Sequence, residues 1–174
     1  MTGQVFLEPL TPEGFAAFGQ VIEAGAGPGR PVNLGTAMRF DRLGLLENAR
    51  PAARPNLAVF RLAPQGLPFP LTLFERHPHS SQAFVPMRGA RWLLCVAPED
   101  AAGRPDAARA RAFVGGPGRG VNLRRGAWHH PLIALDEPAE LAMLAWEDGS
   151  GGDCVEHRLA DPVLVQDPGG AAAG

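Results

Sequence analysis

Twenty-two glycines and 18 prolines are spread through 174 residues, roughly twice the usual share of these two types. Each glycine or proline interrupts regular structure, so the chain must fold through many turns and few long helices. The hydrophobic fraction is 45%, that of an ordinary globular protein, so the segments between breakers can still build a core. Seven short apolar or alternating runs fill that role: Leu57 to Leu62, Leu71 to Glu75, Gln82 to Val85, Trp92 to Ala97, Leu132 to Leu135, Leu141 to Trp146 and Val155 to Leu159. Their spacing predicts a mainly β fold, a sandwich or barrel, with one or two short helices. One helix is expected over Gly14 to Phe18 behind the Thr11-Pro12-Glu13 start signal, and a second over Pro105 to Phe113, stopped by Gly115-Gly116. One domain is expected over residues 1–162, with 163–174 as a disordered tail.

All 16 basic residues are arginine and the chain has no tyrosine. Schiff-base lysine chemistry and phenolic acid–base chemistry are therefore excluded. A formal charge of −2 with scattered arginines argues against a nucleic-acid partner. Met1 to Leu10 lacks a basic stretch followed by an apolar run, and no window is long and apolar enough to span a membrane. Two cysteines, Cys95 and Cys154, do not make a disulfide framework. A soluble, unprocessed, cytoplasmic protein is expected.

Four of the five histidines fall in two clusters, Glu75-Arg76-His77-Pro78-His79 and Trp128-His129-His130-Pro131. On a continuing strand, the two-residue period would put Glu75, His77 and His79 on one face. His129 and His130 cannot both face inward from a regular strand, so one of them is expected to act in catalysis and the other to be structural. The spacing resembles the metal-binding pattern of cupin barrels: H-x-H at His77 and His79, six residues between Gln82 and Gly89, and G-x-x-H at Gly126 to His129. A divalent ion on His77, His79, Gln82 and His129 would be one use of the pattern, although the Gln82 amide is a poorer ligand than a carboxylate.

A more specific resemblance is carried by Glu75-Arg76-His77-Pro78, Ser81 to Pro86, Gly120-Val121-Asn122, Arg125 and Trp128 to Leu132, with Asn33, Gly35 and Arg39. In order and spacing these segments resemble the ureidoglycolate lyase family, from Leu7 to Glu156. The resemblance implies a cupin-like barrel, a homodimer, and cleavage of ureidoglycolate to glyoxylate and urea in allantoin degradation. It leaves the cofactor open between none and a divalent metal such as Ni2+ or Mn2+. For that reaction His129 or His77 is the expected proton-transfer group, with His130 beside them and Glu75 as partner. Gln82 and Asn122 are the expected amide contacts to the urea, Arg39 is the expected grip on the substrate carboxylate, and Asn33 is a further expected substrate-binding residue. This chain departs from the family at Leu123, where a tyrosine is common, at Trp146-Glu147, where an Asp-Arg pair is frequent, and at His79, usually apolar. A metal-dependent cupin of another activity, or a non-catalytic cupin binding a small ligand, shares the same barrel signals.

Overall fold

The computed structural model describes residues 3–169. Along the chain come β1 (Gln4–Pro9), a helix α1 (Pro12–Phe15), β2 (Gly19–Glu23), β3 (Gly29–Val32), β4 (Ala37–Phe40), β5 (Arg54–Leu62), β6 (Phe69–Arg76) and β7 (Gln82–Arg88). They are followed by β8 (Trp92–Ala97), β9 (Arg111–Gly115), β10 (Arg119–Leu123), β11 (Trp128–His129), β12 (Ile133–Ala134), β13 (Ala139–Glu147) and β14 (Val155–Gln166). Strands β11, β6, β14, β1, β9 and β8 pair in that order, and β8 pairs back onto β11, so six strands close a ring. The ring is mixed, because β1 runs parallel to both β14 and β9. A second sheet, in the order β2-β10-β7-β13-β5, packs over one wall of the ring, and β3 and β4 form a separate two-stranded hairpin. This is the expected cupin-like β-barrel with a short helix.

Two apolar clusters result, one on each side of β8. Its six residues Trp92–Ala97 are all buried, which is why this strand reads as a continuous apolar run rather than an alternation. Trp92, Leu94 and Val96 join the core between the two sheets, with Phe84, Leu123 and Met143. Leu93, Cys95 and Ala97 face the interior of the closed ring with Phe74, Trp128 and Val165. By contrast, β13 is shielded on one face and alternates strictly, burying Ala139, Leu141, Met143 and Ala145.

Three expectations are corrected here. The first helix is only four residues long: the Thr11 hydroxyl accepts from the Gly14 amide at 3.0 Å, and the chain turns after Phe15 so that Phe15 and Phe18 both enter the core. Over Pro105 to Phe113 only one 3-10 turn forms, Ala107–Arg109. Arg111–Gly115 is instead β9, held by β8 on one side and β1 on the other, and pairing on both edges overrides the helix preference of the alanines. Finally, β14 runs on to Gln166 with Val163 and Val165 buried in the ring. Residues 163–166 are therefore barrel wall rather than tail, and 170–174 lie outside the described residues. No helix among the described residues is long and apolar enough to cross a membrane.

Gly115 lets β9 pass directly over the Trp92 indole, and a Cβ at this position would overlap the ring. Because Trp92 is packed on all sides, Gly115→Ala is expected to cost about 1–3 kcal/mol. A lowered Tm in thermal denaturation checks this; an unchanged Tm would mean that Trp92 can shift freely.

Candidate active site

The short strand β11 sets the geometry. His129 pairs with Glu75 of β6 on one side and with Val96 of β8 on the other. Directly paired residues project to the same face, so Glu75 and His129 point with Val96 toward the space between the sheets. Their neighbours Trp128 and Phe74 point the other way, into the ring. A cavity of about 370 Å3 opens at this place, lined by Glu75, His77, Gln82 and His129 on its polar side and by Phe60, Leu62, Phe84, Pro131 and Leu132 on its apolar side. A second cavity, of about 250 Å3, shares His77 and Gln82 and continues along Glu147, Asp153 and Cys154.

Both cavity histidines are fixed in tautomer by the backbone. His77 Nδ1 donates to the Asp153 carbonyl at 2.5 Å, and His129 Nδ1 donates to the Ala127 carbonyl at 2.9 Å. With Nδ1 occupied as a donor, each ring turns Nε2 into the site, and a neutral ring presents a lone pair there. The Glu75 carboxylate lies between them, Oε1 standing 3.6 Å from His129 Nε2 and 3.9 Å from His77 Nε2. These separations exceed a direct hydrogen bond and leave the three groups converging on a common point. The other carboxylate oxygen accepts from the Cys154 thiol at 3.7 Å. His77 Nε2 and Gln82 Oε1 are buried without any partner, an arrangement that costs free energy until a ligand supplies one.

Burial sets the charge states. His129 is 2% exposed, and desolvation pushes its imidazolium pKa down to about 4, with the neighbouring His77 acting in the same direction. The ring is therefore neutral at pH 7. Burial alone would raise the Glu75 carboxyl, but the histidines beside it outweigh that effect and hold it below its usual range. Desolvation and the nearby Glu75 charge push the Cys154 thiol up, so it remains a protonated donor.

One carboxylate, one imidazole backed by a second hydrogen bond to the protein, and one thiol form a donor set that fits a divalent cation such as Zn2+ or Ni2+. The ligating atoms of Glu75, His77 and Cys154 lie within 4.8 Å of one another. The acid that Gln82 fails to supply is thus present as Glu75.

Several residues expected at the site are placed elsewhere. His79 leaves the cavity because the strand ends at Arg76 and the backbone turns, with the His79 amide donating to Asp153 Oδ1 at 2.7 Å and its carbonyl accepting from Ala49 at 2.8 Å. His130 faces away from His129, its ring edge-on to Phe69 and its Nδ1 on the Pro131 carbonyl. Asn122 is fully buried but on the opposite face of β10: Leu123 pairs with Gln82, whereas Asn122 pairs with Ala83 and donates to Gln20 Oε1 and the Leu45 carbonyl. Asn33 and Arg39 belong to the β3–β4 hairpin, with Arg39 Nε on Asp41 Oδ1 at 2.6 Å. The residues that sequence reasoning did not single out are the apolar wall and the Asp153-Cys154 clamp. The Asp153-Cys154 pair just before the last strand was the one visible sign of the latter.

The fold and this cluster define a cupin-like barrel with a histidine–carboxylate pocket sized for a small polar molecule. The comparison with known proteins makes that class specific. The family model for ureidoglycolate lyase matches residues 2–166, and the chain belongs to that family. A ureidoglycolate lyase from Burkholderia mallei is 42% identical, the match covering 97% of this chain and 96% of the relative. One from Pseudomonas savastanoi pv. phaseolicola is 40% identical, covering 95% and 96%, and one from Rhizobium leguminosarum bv. trifolii is 40% identical, covering 93% and 95%.

A buried base whose folded pKa is depressed destabilises the fold in acid. Between about 4, the folded value of His129, and roughly 6.5, the value in an unfolded chain, the unfolded state binds the extra proton. Stability is full above that window and falls as pH drops through it. Denaturant unfolding at pH 7.5 and pH 5 should differ by as much as a few kcal/mol, and His129→Asn should flatten the dependence. Parallel profiles for the two proteins would show that His129 is not buried neutral.

Proposed function

We propose that this protein is a ureidoglycolate lyase, a carbon–nitrogen lyase of the amidine-lyase type, splitting (S)-ureidoglycolate into glyoxylate and urea in allantoin degradation. The observation that carries the reading is the pair of buried, unpartnered acceptors, His77 Nε2 and Gln82 Oε1, sharing one cavity with Glu75 and His129 in a chain of this family.

The reaction moves one proton. The hydroxyl O–H and the C–N bond of the substrate break, a C=O bond forms, and the urea nitrogen gains the proton, with no water consumed. A neutral imidazole can take the proton and return it to the leaving nitrogen. His129 has the free Nε2 lone pair and the dry surroundings for this. Glu75, ionised beside it, stabilises the imidazolium formed in between, while His77 Nε2 faces the same carboxylate oxygen. Gln82 Oε1 accepts from the urea N–H groups. The apolar wall of Phe60, Phe84 and Leu132 keeps bulk water from the carbinol centre. Glu75, His77 and Cys154 would hold a divalent ion if one is bound, and such an ion would lower the pKa of the substrate hydroxyl. A homodimer in the cytoplasm completes the proposal; two unpaired cysteines and the apolar outer surface described below support it.

Purified protein should release equimolar urea and glyoxylate from (S)-ureidoglycolate. Glu75→Gln and His129→Asn should each lower the rate by at least ~100-fold with the circular dichroism spectrum unchanged. Near-normal turnover in either variant would remove that residue from the mechanism, and ammonia in place of urea would replace elimination with hydrolysis.

A further inference from the structure

The two cavities around Glu75 contain Glu75, Glu147 and Asp153 but no arginine. A substrate carrying a carboxylate, as the reading above requires, would enter a wall of its own sign with no arginine in the lining to grip it. The site of one chain is therefore incomplete.

The missing cation has a source in the β3–β4 hairpin. Its strands pair only with each other, so it stands off the barrel as an arm. Three consecutive left-handed residues at its tip, Asn33 (φ 52°), Leu34 (φ 59°) and Gly35 (φ 87°), hold a conformation that is costly for the first two. Leu34 is fully exposed and Met38 more than half exposed. Residues 29–42 carry Arg30, Arg39 and Arg42 against the single acid Asp41. Arg39 is 58% exposed and uses only Nε, on Asp41, leaving both Nη groups without a partner among the described residues.

The arm leaves the barrel after β2, at the edge of the five-stranded sheet opposite β5. Strand β5 lines the cavity through Phe60 and Leu62, and four strand spacings put the two edges roughly 19 Å apart. The outer face at the β5 end is apolar: Leu57 is 73%, Val59 56%, Val85 43% and Met87 62% exposed. One end of the molecule thus presents a basic, apolar-tipped arm, and the other a bare apolar face beside an acidic cavity. Such a pair of surfaces is self-complementary under a two-fold axis.

We propose that two copies pair so that the arm of each lies over the outer β5–β7 face of the other, and that Arg39 of this arm binds the substrate carboxylate in the partner's cavity. This assignment rests on the ureidoglycolate reading for its substrate and adds that each active site is built from two chains.

Mixed dimers test it. Arg39→Ala and Glu75→Gln chains carry different tags, and the doubly tagged hybrid is isolated. Each parent dimer should lose at least ~100-fold in turnover. The hybrid should recover about half of the wild-type rate, because one of its two sites has both Glu75 and the arm arginine. A hybrid no faster than its parents, or a fully active Arg39→Ala dimer, would overturn the proposal. Two further measurements do not depend on turnover. Leu34→Asp with Met38→Asp should shift the protein from dimer to monomer in sedimentation, and Arg39→Ala should weaken glyoxylate binding at least tenfold in titration calorimetry. An unchanged sedimentation coefficient together with unchanged glyoxylate affinity would overturn the proposal even if the wild-type protein released no urea. Absence of urea with both effects present would refute only the reaction assigned above.

Discussion

The hydrogen bonds from His77 Nδ1 to the Asp153 carbonyl and from His129 Nδ1 to the Ala127 carbonyl are the interactions on which the site depends. Each removes the freedom of a ring to flip or to change tautomer. Together they aim both Nε2 atoms at one carboxylate oxygen. Asp153 and Ala127 come from the turns preceding β14 and β11, so the barrel's closure itself, through β11 and β14, sets the imidazole geometry. The same burial that neutralises His129 also strengthens any charge interaction formed beside it.

The location of the site follows from β8. A strand buried on both faces separates the ring interior from the space between the sheets. The ring interior is filled with Phe74, Leu93, Cys95, Trp128 and Val165. The mouth of the outer compartment, between β11, β5 and β7, is where polar groups can meet without being sealed in. Glu75 keeps partial exposure there while His129 does not, and this asymmetry separates a charged carboxylate from a neutral base.

Much of this was legible in the amino-acid sequence. Glycine and proline frequency pointed to short strands, and the absence of lysine and tyrosine left Glu75, His77 and His129 as the groups able to move protons. The structure brings these three together with Gln82. Asn122 was misplaced because β10 is buried on both faces; alternation vanishes in such a strand, and only the pairing of Leu123 with Gln82 reveals which way each side chain points. His79 was misplaced for a different reason, since the H-x-H period assumes a strand that stops at Arg76. The alanine-rich segment before Phe113 carries helix propensity that two flanking strands override. Arg39 reads as a ligand in the sequence and stands on an isolated arm in the fold, a conflict that a second chain resolves. Leu123 lies beside Gln82 on the cavity face, so a relative's tyrosine at that position would reach the same compartment that this chain keeps apolar.

The central claim is that His129 is a buried, neutral imidazole whose Nε2 faces the Glu75 carboxylate. Nitrogen-15 NMR of the histidine side chains at pH 7.5 tests it most directly. The account predicts that the ring of His129, assigned through His129→Asn, is Nδ1-protonated, with Nε2 at the shift of an unprotonated nitrogen. It also predicts that His129 stays neutral well below pH 6. An Nε2-protonated tautomer at His129, or a His129 that titrates near its unperturbed value, would contradict it.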